Sequence, residues 1–249
     1  MPTIYADNKD ARIVSSHDQW FRARDNVGGT MTAIPGHGES SAVAVCGYSP
    51  FNKTISEFNT GDDFNIVRSF YYFDFSSVSG TVVSATLSIH GLTNGGVNCR
   101  IIKSTAFGGD GGTALATSDW TAIPGYNSGG TLSGNVTDYS TEITSWNTSG
   151  YNSFALNGAA RNDINNNGRL IVCLIDTEWD YPDTDPTGQL ISGLQYNGGY
   201  FSEEGGTSKD PKIDYVTVAG WNEVNGVTKS NVQKVNGVSL ANISRIIGR

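Results

Sequence analysis

Residues 176–185 contain five acidic residues, whose carboxylates could together bind one ion or one substrate. They are Asp176, Glu178, Asp180, Asp183 and Asp185. Because the stretch follows an apolar run at residues 170–175, we expect it to be a loop at the end of a buried strand. Three interpretations stay open: a solvated loop, a Ca²⁺ site, which needs several oxygen ligands at one point, and a site that binds or hydrolyses sugar, hydrolysis needing paired carboxylates.

Aromatic side chains accompany these carboxylates and could stack on a sugar ring. Trp179 and Tyr181 lie within the acidic stretch, and Trp20 lies near the start of the chain. Such rings combine a large apolar face with a polar atom at one end, which suits contact with a sugar. If the chain binds a glycan, we expect Trp179, Tyr181 or Trp20 to contact it.

No other residues in the sequence have the spacing of a catalytic or metal site. The three histidines, His17, His37 and His90, lie in no nucleophile motif, and Gly-x-Ser-x-Gly does not occur. Residues 163–168 imitate the start of a calcium-binding loop, but Leu174 stands where that loop needs a glutamate, so we expect a plain turn. The glycine-rich residues 108–112 lack the Lys-Ser/Thr ending of a phosphate-binding loop. We therefore expect no catalytic residues, no cofactor and no enzyme activity.

The composition favours β-structure and argues against binding to nucleic acid or membrane. Charged residues make up 16% of the 249 residues, against about 25% in typical domains, and 31 residues are glycine. The net charge of −8 and the lack of a basic patch predict no nucleic-acid binding. No run of about 18 apolar residues occurs and the first residues lack a signal-peptide pattern, so we expect neither membrane insertion nor secretion.

The three cysteines, Cys46, Cys99 and Cys173, form an odd set without metal-ligand spacing. Cys173 lies inside the apolar run at residues 170–175, so we expect a buried thiol. The set does not predict a disulfide framework, and we therefore expect the chain to be made and folded in a reducing compartment.

Alternation of side chains predicts the strands. In residues 66–75, Tyr71 and Phe73 alternate with Phe70 and Tyr72, so both faces are aromatic and a central strand between two layers is expected. Residues 83–90 alternate between apolar and polar side chains, which predicts one buried and one solvated face. We also expect strands at 99–102, 152–156, 170–175, 190–196 and 212–218, helical turns near 118–120 and 159–165, and either a strand or a short helix at 136–146. This recurrence predicts an all-β fold, a jelly-roll β-sandwich of two antiparallel sheets, over residues 1–217.

From residue 218 the sequence changes to a tail with an eleven-residue repeat. Residues 223–233 and 234–244 each contain Val-Asn-Gly-Val, and a truncated third copy follows at 245–249. Asn-Gly favours the two-residue turn of a β-hairpin, so we expect β-rich structure over 218–249. About thirty residues of this kind cannot hold their own core, so the tail must pack on its own domain, on identical chains or on another protein. The predicted contact and turn residues are Val224, Asn225, Gly226, Val227, Val232, Val235, Asn236, Gly237, Val238, Leu240 and Ile243.

Residues 1–217 resemble the jelly-roll modules called DNRLRE-like or carbohydrate-binding-module-like domains. The resemblance rests on Tyr5-Ala6-Asp7 with residues 11–15, on Val-Arg-Ser-Phe-Tyr-Tyr-Phe-Asp-Phe at 67–75, and on Val-Val-Ser-Ala-Thr-Leu-Ser-Ile at 82–89. It continues through residues 146–154, 200–203 and 210–213, so it covers most of the domain. Arg-Ser-Phe-x-x-Phe-Asp together with a C-terminal Val-Asn-Gly-Val repeat is most similar to proteins of tailed bacteriophages.

The resemblance implies a structural or adhesion role on a virus particle, without catalysis. We therefore expect a bacteriophage virion protein made in the host cytoplasm, either a capsid decoration protein or a tail or fibre component. We expect it to assemble through its tail into a homo-oligomer, with a trimer favoured, and to contact other virion proteins. The alternative is a carbohydrate-binding module that attaches to a glycan of the host surface.

Overall fold

The computed structural model describes residues 1–36, 43–51, 63–186, 195–202 and 206–218, and four two-residue strands beyond them. The strands of the main body are β1 (Thr3–Tyr5), β2 (Ala11–His17), β3 (Thr30–Pro35), β4 (Val43–Phe51), β5 (Asp63–Asp74), β6 (Thr81–Thr93), β7 (Cys99–Lys103), β8 (Tyr151–Ala155), β9 (Arg169–Asp176), β10 (Gln195–Gly199) and β11 (Lys212–Val218). The helices are α1 (Trp20–Asp25) and α2 (Gly158–Asn167), with 3₁₀ turns at Phe107–Gly109 and Thr117–Thr121. The short strands are β12 (Glu223–Val224), β13 (Val227–Thr228), β14 (Lys234–Val235) and β15 (Val238–Ser239).

The strands of the main body form two antiparallel sheets. The first sheet contains β1, β11, β6 and β8 in that order. The second contains β3, β2, β5, β9 and β7. Strands β4 and β10 connect the two sheets, because β4 pairs with β5 and β10 pairs with both β4 and β6. The predicted all-β two-sheet sandwich is confirmed, and its jelly-roll connectivity stays a prediction.

Strand β5 is buried on both faces, as the sequence predicted. Tyr71 and Phe73 lie in the core between the two sheets, which also contains Leu87 of β6 and Ile213 of β11. Phe70 points the other way, into a second buried cluster. Because a strand with two apolar faces needs a covering layer on each side, the sandwich carries additional structure outside its second sheet.

That outer layer contains no strands among the described residues and consists of α1, the two 3₁₀ turns and the loops around them. Trp20, Phe107, Trp120 and Leu132 supply its buried side chains. The helical turn predicted near 118–120 is confirmed by the 3₁₀ turn at Thr117–Thr121. The outer layer is therefore packed by large aromatic groups from loops, which is where the acidic loop after β9 also lies.

Strand β6 shows the predicted alternation with one exception. Ala85, Leu87 and Ile89 are buried in the core. Ser88 was predicted to face solvent but is only 4% exposed, and its hydroxyl lies 3.1 Å from the hydroxyl of Ser153 on β8. The neighbouring strand covers Ser88 and supplies its hydrogen-bond partner, which a single-strand pattern does not reveal.

Three further predictions are corrected in detail. The helical turn at 159–165 is the longer helix α2, which begins where the Asn157 side chain accepts a hydrogen bond from the Ala160 amide and ends at Gly168, whose φ is 62°. Residues 163–168 are therefore the end of a helix and not the plain turn we expected. Residues 136–146 form neither helix nor regular strand, and contact β7 through isolated bridges at Asp138 and Ile143. The strand predicted at 190–196 corresponds to β10 from Gln195, and residues 187–194 lie outside the described residues.

Two of the cysteines differ in chemical state, because Cys173 is a free thiol and Cys99 belongs to a disulfide. Cys173 is free and fully buried, as predicted, and burial raises its pKa. Cys99 is disulfide-bonded, although the odd set of cysteines did not predict a disulfide, and the compartment in which the chain folds stays a prediction. No helix in the described ranges is both long and apolar enough to cross a membrane.

Candidate functional site

The acidic loop after β9 is attached to the second sheet by a buried ion pair. Arg68 on β5 donates from Nε and Nη2 to the two carboxylate oxygens of Asp180, each over 2.7 Å. Arg68 is 0% and Asp180 1% exposed. Nη1 of Arg68 donates to the Trp120 carbonyl, and the guanidinium carbon lies 3.9 Å from the centre of the Trp120 ring. A two-bond pair of this kind fixes the direction of both side chains.

A second buried arginine, Arg24 of α1, extends this network. Its Nε donates to the Asp180 carbonyl over 2.9 Å, and its Nη2 donates to the Gly130 carbonyl over 2.9 Å. Its Nη1 donates to Asp25 over 3.0 Å. The Trp120 indole donates in turn to the Arg24 carbonyl over 2.8 Å. Helix α1 and the loops at residues 120, 130 and 180 are thus joined by hydrogen bonds of the buried Arg24 and Trp120.

Asp176, the last residue of β9, turns the chain into the acidic loop. Its Oδ1 accepts hydrogen bonds from the amides of Glu178 and Trp179, over 2.6 Å and 3.3 Å. Its Oδ2 is buried and has no hydrogen-bond partner among the described residues. Burial raises the pKa of Asp176 to about 7, and the nearby charge of Asp180 adds to the shift. This carboxyl therefore keeps its proton to a higher pH than an exposed aspartate does.

The five acidic residues predicted as a calcium site do not share one ligand position. Asp180 binds Arg68, Asp183 lies 3.4 Å from Nε of Arg24, and Glu178 and Asp185 are exposed. Within the described part of the chain, no group of three or more His, Cys, Asp or Glu side chains could hold a metal ion. The arrangement joins loop to sheet, and it lends no support to the Ca²⁺ interpretation.

The aromatic residues predicted to contact a glycan lie mostly inside the outer layer. Trp20 is 3% exposed and packs edge-on against Phe64, with ring centres 6.0 Å apart. Tyr181 is 7% exposed, with the Arg100 guanidinium 4.5 Å from its ring centre. Trp179 is partly buried against the same layer. Burial leaves Trp20 and Tyr181 no open face on which a sugar could stack.

The histidines that are described form no nucleophile–base pair. His90 lies edge-on to Tyr151 and Tyr200, with ring centres 5.2 Å and 5.4 Å away, and its Nδ1 contacts the Gly91 carbonyl. His17 contacts Asp18 at the end of β2, and His37 lies outside the described residues. These surroundings are aromatic or solvated, and nothing in them activates a nucleophile.

Sequence reasoning missed a polar cleft of about 210 Å³ between the end of β7, helix α2 and the start of β9. At its centre Asp163 of α2 accepts hydrogen bonds from Nζ of Lys103, over 2.7 Å, and from the hydroxyl of Tyr139. Asn167 donates to the other carboxylate oxygen of Asp163 over 3.3 Å. Burial opposes ionisation of Asp163, but the bonds from Lys103 and Tyr139 outweigh it, so the pKa of Asp163 is lowered and the carboxylate stays charged.

The other cation of the cleft is Arg169, the first residue of β9. Its Nε donates to the Gly109 carbonyl over 3.2 Å and its Nη1 to the Asn167 carbonyl over 3.4 Å. Its cross-strand neighbour Asp74 accepts instead from the Ser76 amide, over 2.8 Å. Two cations and one carboxylate therefore line the cleft, which gives it a net positive charge in a chain of net charge −8.

The cleft was not predicted because its residues are far apart in sequence and carry no motif. Lys103 and Arg169 belong to adjacent strands, which only the pairing of β7 with β9 reveals. A search of known families found no matching family model, and a search of curated proteins found no matching relative.

Two β-hairpins occupy the tail, one in each full repeat. In the first, Val224 of β12 pairs with Val227 of β13. In the second, Val235 of β14 pairs with Val238 of β15, in the same register. Each hairpin is a separate two-stranded sheet, and among the described residues neither pairs with a strand of the sandwich. The other predicted tail residues lie outside the described residues: Asn225, Gly226, Val232, Asn236, Gly237, Leu240 and Ile243.

Proposed function

We propose that this chain is a non-catalytic structural protein of a bacteriophage particle, either a capsid decoration protein or a tail or fibre component, that assembles through its C-terminal repeats. The observation that carries the proposal is a pair of hairpins with the same register, which recur with the eleven-residue period and, among the described residues, pair with no strand of the sandwich. A tail built of repeated units is suited to repeated contacts.

Hairpins this short need an external partner. A two-stranded hairpin is marginal in water, and each of these has strands of two residues and one pair of facing valines. The outer edge of each strand also offers backbone groups to a further strand. Pairing with hairpins of identical chains would bring valines of neighbouring chains together and would engage the backbone groups at the outer strand edges.

The sandwich suits the role of a rigid body that carries this tail. Its second sheet is covered on both faces, and Arg68 and Arg24 join the outer loops to the sheet and helix beneath them. Loops fixed in this way resist local opening, which is the step that proteases require. The assembled state is a homo-oligomer, a trimer being favoured, in contact with other virion proteins, and the chain is made in the host cytoplasm.

The proposal is tested by a mass-spectrometric inventory of purified virus particles whose genome encodes this chain. We expect peptides of this chain in the particle at a fixed copy number. Hundreds of copies indicate capsid decoration and a handful indicates a tail or fibre. Absence from the washed particle would refute the role in the virion.

A second candidate function is attachment to a glycan of the host surface, and the polar cleft favours it. The cleft combines ionic, hydroxyl and apolar side chains on fixed secondary structure, as sites for small polar ligands do. The two functions are compatible, because the cleft belongs to the sandwich and the hairpins to the tail. Screening the purified chain on an array of glycans tests this candidate.

A further inference from the structure

We propose that the cleft between β7, α2 and β9 binds the carboxylate of a single acidic sugar at the end of a glycan. The inference rests on the glycan-binding candidate above and names the class of sugar and the residues that hold it. Lys103 and Arg169 would bind the carboxylate, and the hydroxyl and amide groups of the cleft would bind the ring substituents.

The cleft has more hydrogen-bond donors than its own acceptors use. The Lys103 ammonium has three donor protons, and among the described residues it donates to Asp163 alone. Nη2 of Arg169 donates to no acceptor among the described residues, although Nε and Nη1 are engaged. Asp163 already accepts from Lys103, Tyr139 and Asn167. The ligand that completes these bonds is an acceptor with negative charge, and a guanidinium suits a carboxylate particularly well.

Size and lining favour a sugar over a bare inorganic ion. The volume of about 210 Å³ exceeds what a small oxyanion fills and is below the usual range for drug-sized ligands. The hydroxyl of Thr105, which is exposed at the cleft, donates to the Ala122 carbonyl, which leaves its oxygen lone pairs for a hydroxyl of a ligand. Ile171 gives the cleft an apolar wall against which the C–H groups of a sugar ring can pack.

The cationic groups are held in place before any ligand arrives. Asp163 fixes the Lys103 ammonium from α2, and the Gly109 carbonyl fixes the Arg169 guanidinium. Immobilising a long side chain opposes binding, and here the protein has already done so. A single sugar can therefore bind measurably with only a few contacts.

The test is a calorimetric titration of the full chain with sodium glucuronate, glucose and inorganic phosphate, each alone. We expect glucuronate to bind about tenfold more tightly than glucose, which lacks the carboxylate, and more tightly than phosphate. Arg169→Gln should weaken glucuronate binding about tenfold. Arg161→Gln is the matched control, because Arg161 lies on α2 outside the cleft, and it should leave the affinity unchanged.

A second variant covers the case in which Arg169→Gln does not fold. Thr105 is exposed at the cleft, so Thr105→Trp should fold and block the ligand, again abolishing glucuronate binding. Equal affinity for phosphate and glucuronate, or equal affinity in Thr105→Trp and the unchanged chain, would overturn the assignment. Binding to neutral glycans that Thr105→Trp leaves intact would sustain glycan attachment while refuting the cleft. No binding to any glycan or to glucuronate would refute both.

Discussion

Arg68 on β5 and Asp180 in the loop after β9 share two parallel hydrogen bonds of 2.7 Å across a sequence separation of 112 residues. The sequence presents Asp180 as one of five clustered acids, which invites a reading as a calcium or sugar site. The structure gives this carboxylate a buried arginine as partner instead. The ion pair between Arg68 and Asp180 therefore fixes the acidic loop, and with it the outer layer of aromatic side chains, to the second sheet.

Removal of this carboxylate should destabilise the domain severely. Asp180→Ala leaves the Arg68 guanidinium buried without its counter-charge, and loss of one partner of a buried pair costs about 3–5 kcal/mol. We expect a decrease of that size in the free energy of unfolding, measured by urea denaturation. Lys212→Met is the control, since Lys212 pairs with Asp214 where both side chains reach solvent, and loss of this ion pair should cost less than about 1 kcal/mol. A similar decrease in the free energy of unfolding in both variants would refute this stabilising role of the Arg68–Asp180 pair.

Asp176 should make the domain less stable as the pH rises from about 4 to about 7. Burial holds its folded-state pKa at about 7, above the unfolded value of 3.8, so the folded state retains a proton that the unfolded state releases. The stabilisation is complete below about pH 4 and is lost as the pH rises through 7. Asp176→Asn does not titrate, so its stability relative to the unchanged chain should increase by about 2–3 kcal/mol between pH 5 and pH 8.

The control for this prediction is Asp74→Asn. Asp74 is exposed, and hydrogen bonds from Ser76 lower its pKa, so it titrates below the tested range. Denaturation curves at several pH values should therefore show the same slope for Asp74→Asn and the unchanged chain between pH 5 and pH 8. If the slope of Asp176→Asn also matches that of the unchanged chain, Asp176 is ionised in the folded state and our account of it is wrong.

The period-two patterns explain which parts of the fold could be predicted from sequence. Aromatic residues on both faces of β5 require two covering layers, and the alternation in β6 requires one, so both predictions held. Strands β1 to β4 carry weaker patterns and were not predicted individually. Residues 136–146 run beside β7 without continuous strand pairing, and for that reason their sequence pattern did not distinguish a strand from a helix.

The site residues were harder to predict because their roles depend on contacts between distant parts of the chain. Arg68 appeared only as part of a resemblance, since a charged residue in an apolar strand does not reveal its partner. Lys103, Asp163 and Arg169 are ordinary polar residues until β7 and β9 pair and α2 packs beside them. The hairpins of the Val-Asn-Gly-Val repeat could be predicted directly, because the turn preference of Asn-Gly and the flanking valines depends only on neighbouring residues.

The cysteines supply a prediction about chemical state. Peptide mapping without reductant should recover Cys99 in a disulfide-linked peptide and Cys173 in an unlinked one. Cys173 should resist alkylation until the chain unfolds, because it is fully buried and its pKa is raised. Cys99→Ser should lower the free energy of unfolding by about 2–4 kcal/mol under oxidising conditions. An alkylated Cys99 in the native, unreduced chain would contradict the disulfide.

Light scattering coupled to size-exclusion chromatography tests the central claim that the repeat tail drives assembly. We compare the full chain, a chain that ends at residue 219, and Val224→Lys combined with Val235→Lys, which keeps the length but charges both hairpins. The full chain should elute as an oligomer, and both altered chains as folded monomers with an unchanged β-type circular dichroism spectrum. A chain ending at residue 219 that keeps the oligomeric mass, or a full chain that is monomeric throughout, would contradict the account.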